Sequence, residues 1–272
     1  MPPSVSLYPM KCALLVALAG CGFDVSATPV DAPGDTPVDQ PDVTDVAIPR
    51  VTNGLIGFWT FDEMNDTLFA FDTSGVAPPV DLEVVRTVPA PAFSNGVLNA
   101  ETTGRLISLQ NVRLSSDASA ANGVTLEVWV KASAGLQGSP GEPSFIAGLA
   151  NTVNTRNVAL MQGSDRWIAQ VRTSTTDGKP NLVSVSTVST TEMTHVAVVA
   201  DATTRSIVIN GVVEASSMPG PLIGWDLSYP MAVVDEYQHA RQWVGSVALV
   251  AMYRRALTPT ELQQNYLAGP NH

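Results

Sequence analysis

Val124-Thr125-Leu126-Glu127-Val128-Trp129-Val130-Lys131 is the stretch that decides the fold class. Val124, Leu126, Val128 and Val130 alternate with Thr125, Glu127, Trp129 and Lys131, a period of two that sends one set to each face of a strand. The first face is dry and the second is expected to be wetter. Outward from it, short apolar or alternating runs recur at 54–61, 82–88, 105–109, 144–149, 157–162, 166–173, 182–188, 194–200, 205–209, 212–215 and 243–253. Gly, Asn, Asp and Pro separate them, the pattern of a many-stranded sandwich. Between Ile209 and Val212, Asn210-Gly211 predicts a tight hairpin, because both residues accept positive φ. Both faces of 243–253 are apolar, which predicts a central strand with a neighbour on each edge. Thr258-Pro259-Thr260-Glu261 offers an N-cap, a first-turn proline and a capping glutamate, so one short helix is expected through about Tyr266, stopped by Gly269 and Pro270.

Composition agrees with strands. Charged residues make up 14% of the chain, against about 25% in an average domain. With 14 Lys and Arg against 25 Asp and Glu, the net charge is −11. That balance lacks the basic footprint of phosphate binding and excludes a nucleic-acid partner. Cys12 and Cys21 both precede the body, which therefore has no thiol for a bridge or a metal.

The first fifty residues read differently. Lys11, the apolar run from Cys12 to Ala19 and the small residues after it follow the order of a secretory signal. The run is shorter than the roughly 20 residues a membrane span needs. Leu18-Ala19-Gly20-Cys21 resembles the lipobox of bacterial lipoproteins. The resemblance implies a signal peptide over 1–20 and acylation of Cys21, through which the mature chain would sit on a lipid bilayer. Residues 22–49 carry Pro29, Pro33, Pro37, Pro41 and Pro49 with Asp24, Asp31, Asp35, Asp39, Asp42 and Asp45, and no basic residue. Like charges repel and prolines stiffen, so 21–50 is expected to be a disordered tether.

The body, 51–272, also carries a resemblance. Gly57-Phe58-Trp59-Thr60-Phe61-Asp62-Glu63 with Asp72-Thr73-Ser74-Gly75 is similar to the opening of concanavalin A-like, laminin-G-like jelly-roll domains. Thr125 to Val130, His195-Val196-Ala197, Val208 to Val212, and Gly245-Ser246-Val247 leading to Tyr253-Arg254-Arg255-Ala256-Leu257-Thr258 follow in that family's order. The resemblance implies an all-β fold of two antiparallel sheets packed face to face. Some relatives hold calcium with loop carboxylates. Here Ala248 and Leu249 stand where the family usually has an acidic pair, which argues against a cofactor, although Asp62 and Asp72 remain.

Hydrolases on this general fold carry two acids on one strand, since protonating a leaving group and attacking a sugar need both in one cleft. No glutamate of 51–272 is followed two residues later by an acid. Asp62-Glu63 and Asp235-Glu236 are adjacent pairs and are read as turn acids. His195, His239 and His272 are scattered, and no metal or nucleophile motif is present, so no catalytic or metal residue is assigned. Trp59, Trp129 and Trp167 lie in strands and are read as packing residues, as is His195.

The irregular segment 219–243 gathers Trp225, Tyr229 and Tyr237 with Asp226 and Arg241, the candidate ligand-binding residues. The reading that follows is a non-catalytic recognition or adhesion module, with a glycan or protein ligand, displayed on acylated Cys21 at a bacterial cell envelope, on the outer membrane. The alternatives are a hydrolase with a non-standard acid pair and a purely structural envelope protein.

Overall fold

In a computed structural model the protein is described over residues 47–64, 67–86, 91–101, 104–109, 112–173, 178–218 and 220–270, within a compact unit spanning Val46–His272. The signal, Cys21 and the tether to residue 46 lie outside the described residues.

The strands in the first part of the chain are β1 (Leu55–Trp59), β2 (Phe69–Ala70), β3 (Leu82–Arg86), β4 (Ala92–Phe93), β5 (Leu98–Ala100) and β6 (Gly104–Ser108). After helix α1 (Arg113–Ala121) come β7 (Gly123–Ala132), β8 (Ser144–Thr152), β9 (Thr155–Gly163), β10 (Arg166–Val171) and β11 (Leu182–Thr187). The chain continues with β12 (Thr194–Asp201), β13 (Arg205–Ile209), β14 (Val212–Ser217), β15 (Met231–Val233), β16 (Gly245–Tyr253) and α2 (Pro259–Ala268). One sheet runs β14-β13-β12-β7-β16-β5-β4, with β1 also on β16, and the other runs β11-β10-β9-β8-β15-β6-β3-β2. All pairings are antiparallel.

The two-sheet sandwich expected from the alternation is therefore present. β16 is central: it pairs β7 along one edge, and β5 and then β1 along the other. Asn210 (φ 49°) and Gly211 (φ 79°) make the turn between β13 and β14, where residues free to take positive φ match the twist of a two-residue hairpin. Between the sheets, Leu126, Val128 and Val130 of β7 pack with Leu160, Trp167, Val196, Val250 and Met252 in the largest apolar cluster.

Three expectations need correction. The face of β7 read as wetter is covered: Thr125 and Glu127 are fully buried and Trp129 nearly so. α2 lies over it, with Tyr266 stacked on Trp129 at 5.8 Å. The folded part also begins before Val51. Gln264 of α2 donates to the Pro49 carbonyl at 2.6 Å, and Arg50 donates to the Gly269 carbonyl at 2.6 Å and pairs with Glu127. Finally, the described residues hold a second helix, α1, beside the C-terminal one. α1 has Val112 at its N-cap with no side-chain capping bond, so the usual start signal is absent. Tertiary contacts hold it: Arg113 bonds Asp72 at 2.9 Å and the Ile56 carbonyl at 2.7 Å, and Leu114 and Ala118 are buried. α2 is the helix that was legible, with the Thr258–Glu261 capping box complete in both directions.

Candidate functional site

Of the loop-borne candidates, Tyr237 faces an opening. Ser108, Leu109, Val112, Asn151, Ser228, Pro230 and Tyr237 line an open groove of about 710 Å³. Tyr237 is 44% exposed, and Leu109 and Val112 are each 60% exposed beside it. An aromatic face flanked by hydroxyl and amide side chains is the chemistry that holds a sugar ring, which is apolar on its faces and polar at its rim.

Trp225 and Tyr229 are turned inward. Each is 7% exposed. The Trp225 indole N–H donates to the Arg172 carbonyl at 2.9 Å, and the Arg172 guanidinium lies 5.6 Å from the Tyr229 ring centre. Asp226 is an exposed turn residue. Its carboxylate accepts from the Ser228 hydroxyl at 2.6 Å and amide at 2.9 Å, which hold it below the usual carboxylate range. Its backbone pairs with the Asn157 side chain at 2.8 and 3.1 Å, fixing Ser228 at the groove. Arg241 points toward acids, 3.7 Å from Glu142, and its backbone N–H donates to Asp235 at 2.9 Å. The structure thus brings Tyr237 and the Asp226–Ser228 turn to one groove and leaves Trp225 and Tyr229 in the core.

Under Tyr237 lies a polar cluster that the sequence does not announce. Asp235 and Glu236, read as ordinary turn acids, are both fully buried. Glu236 pairs with Arg156 of β9 at 3.0 Å, and Arg156 also donates to Gln170 of β10. Burial pushes the Glu236 carboxyl up to about 7 against the pull of Arg156. Asp235 accepts the amide N–H of Glu236 at 2.8 Å, and its other oxygen faces the His239 ring at 2.5 Å. The visible signal was the adjacent acid pair itself. Nothing in the sequence pointed to Arg156 or Asn151, which reach the site from β9 and β8.

The remaining candidates are accounted for by packing. Trp59 and Trp167 are fully buried, and Trp129 sits under α2 against His195 at 5.4 Å. His195 lies 3.2 Å from Glu127. The Asp72 carboxylate takes the backbone N–H groups of Phe58, Ser74 and Val80 and the Arg113 guanidinium. Among the described residues no group of three His, Cys, Asp or Glu side chains is placed to hold a metal ion. Among them, too, no helix is long and apolar enough to cross a membrane.

A family model described as the concanavalin A-like lectin/glucanases superfamily matches residues 108–263, and the chain belongs to that superfamily. Solved structures agree on the fold. The binding domain of botulinum neurotoxin DC in complex with rat synaptotagmin II is 11% identical with a TM-score of 0.58, covering 79% of this chain and 52% of that one. A structure of botulinum neurotoxin type C, whose cell entry is dependent upon interaction with two ganglioside molecules, is 14% identical at a TM-score of 0.56, covering 79% and 52%. Trypanosoma rangeli sialidase in complex with sialic acid is 15% identical at 0.56, covering 81% and 33%. The chain thus spans about half the length of the toxin chains and a third of the sialidase chain. No curated protein matches the sequence.

Proposed function

We propose that the protein is a non-catalytic glycan-recognition or adhesion module, held on the outer membrane of a bacterial envelope by acylated Cys21. The observation that carries the recognition half is the groove, where an exposed Tyr237 ring stands among the side chains of Ser108, Asn151 and Ser228. Two toxin neighbours support the reading: one is a binding domain in complex with synaptotagmin II, and the other belongs to a toxin whose cell entry depends on two ganglioside molecules. The groove sets the Tyr237 ring and the apolar Leu109, Val112 and Pro230 beside the polar Ser108, Asn151 and Ser228, a mix that suits a sugar ring, apolar on its faces and polar at its rim. Of the nearby acids, Glu236 is enclosed and Asp226 is bound to Ser228, so the reading assigns neither a reaction. It needs no cofactor.

A glycan and cell-wall array probed with Cys21→Ser protein tests the recognition half. Tyr237→Ala should weaken retention of any bound glycan about thirtyfold, near 2 kcal/mol, with the melting temperature unchanged. Equal retention by the variant would move the site elsewhere. For the anchor, Cys21→Ser should release the chain from membranes into the aqueous phase of a detergent partition, because lasting attachment takes more than one acyl chain or a spanning segment. A mutant that still partitions with detergent would overturn the anchor.

A further inference from the structure

None of the described side chains that line the Tyr237 groove is charged. Three arginines belong to its surroundings, and each is committed elsewhere. Arg113, the residue after Val112, pairs with Asp72 at 2.9 Å and donates to the Ile56 carbonyl at 2.7 Å. Arg156 pairs with Glu236, the residue before Tyr237, at 3.0 Å. Arg172 donates to the Gly224 carbonyl at 3.2 Å and lies 5.6 Å from the centre of the Tyr229 ring. An anion that leaves water for the groove gains none of these guanidinium groups in exchange, and burying a charge without a partner is costly.

The charge that does stand beside the lining is negative. Asp226 is exposed, and the Ser228 hydroxyl and amide hold its carboxyl below the usual range, so it is ionised at neutral pH. That contact also has a direction. The Ser228 hydroxyl has one proton and donates it to Asp226 Oδ1 at 2.6 Å. What Ser228 presents to a ligand is therefore an oxygen that can only accept. The turn keeps this arrangement in place by itself: the Asp226 backbone pairs with the buried Asn157 side chain at 2.8 and 3.1 Å, and Asn157 also donates to Ser115 of α1 at 3.1 Å.

We propose that the groove selects uncharged sugars: Ser228 Oγ accepts a hydroxyl proton from the ligand, and the Asp226 carboxylate behind it disfavours sugars that carry a carboxylate, such as uronates and sialic acids. The selectivity rests on the recognition reading above and names its substrate class. A sugar hydroxyl has the proton that the Ser228 oxygen lacks. A carboxylate brings a second acceptor and a second negative charge to the same place. Two like charges about 4 Å apart disfavour binding about fivefold in water. Because Asp226 is exposed, salt should screen that penalty.

The test titrates the full Cys21→Ser chain, in about 20 mM salt, with neutral β-1,4-linked gluco-, galacto- and manno-tetrasaccharides and with the same compounds oxidised at every C6. Whichever ring then enters the groove carries the charge. The neutral ligand should bind at least about fivefold more tightly than its uronate, and about 0.5 M salt should narrow the gap. Asp226→Asn keeps an oxygen for Ser228 to donate to and removes the charge, so it should narrow the gap while leaving the neutral ligand within about twofold. Ser228→Ala, which removes the acceptor, should weaken the neutral ligand about fivefold. A uronate bound as tightly as its neutral partner, or an unchanged gap in Asp226→Asn, would overturn the selectivity. If both classes bind alike and both weaken about thirtyfold in Tyr237→Ala, the recognition reading stands and the selectivity alone falls. A chain that takes neither class and retains no glycan on the array removes the recognition reading, and the selectivity with it.

Discussion

Glu127→Ala is expected to cost about 3–5 kcal/mol of folding free energy, the usual penalty for removing one partner of a buried charge pair. Glu127 is fully buried in the middle of β7 and serves three neighbours. Its Oε1 pairs with Arg50 and lies 3.2 Å from His195, while Oε2 accepts from Asn265 of α2 at 2.7 Å. Asn265 in turn accepts the Val51 N–H at 2.8 Å and donates to the Tyr253 hydroxyl at 3.0 Å. Removing the carboxylate leaves a guanidinium and an amide in a dry site, and uncouples α2 and residues 49–51 from the sheet together. For a domain of this size the melting temperature should drop by roughly 10 °C. Burial alone would raise the Glu127 carboxyl, but His195 and Arg50 outweigh it and hold it at about 2. Because that value is lowered from 4.5, the stabilisation is present above about pH 4.5 and is lost as pH falls from there toward 2. Thermal melts across that window should show a steeper slope in the parent chain than in Glu127→Ala, where Asp226 and Glu261 still contribute. A variant melting within about 2 °C of the parent would mean that α2 is held by its apolar contacts alone.

Trp225→Ala is the second large effect, and it acts on folding rather than on recognition. The side chain belongs to the apolar cluster between the sheets and bonds the Arg172 carbonyl. Truncating a buried tryptophan costs about 3–5 kcal/mol, part of it from the cavity left behind. Trp225→Phe keeps most of the burial and loses the hydrogen bond, for about 1 kcal/mol. Tyr237→Ala, by contrast, should fall within about 0.5 kcal/mol of the parent, as exposed positions do. Chemical denaturation of the three variants checks the ordering. A Trp225→Ala protein as stable as Tyr237→Ala would mean that the ring contributes nothing to the core, and would return it to the list of ligand contacts.

What the sequence by itself determined is what local chemistry can encode. The period of two in β7, the Asn210-Gly211 turn, the two-sided apolar run of β16 and the capping box of α2 each depend on residues a few positions apart, and each appears in the fold. Elements too short for a period, such as β2, β4, β5 and β15, left no trace, and α1 had no capping residue to announce it. Tertiary structure alone decided which faces are dry and which loop residues look outward. Glu127 alternates like a solvent-facing residue, but α2 and Arg50 arrive over it from the two ends of the described chain. Trp225 and Tyr237 occupy the same irregular segment, yet Trp225 enters the core, where its indole N–H meets the Arg172 carbonyl, and Tyr237 lines the groove. Side-chain direction in a loop without period depends on partners distant in sequence, and those partners leave no local pattern to read.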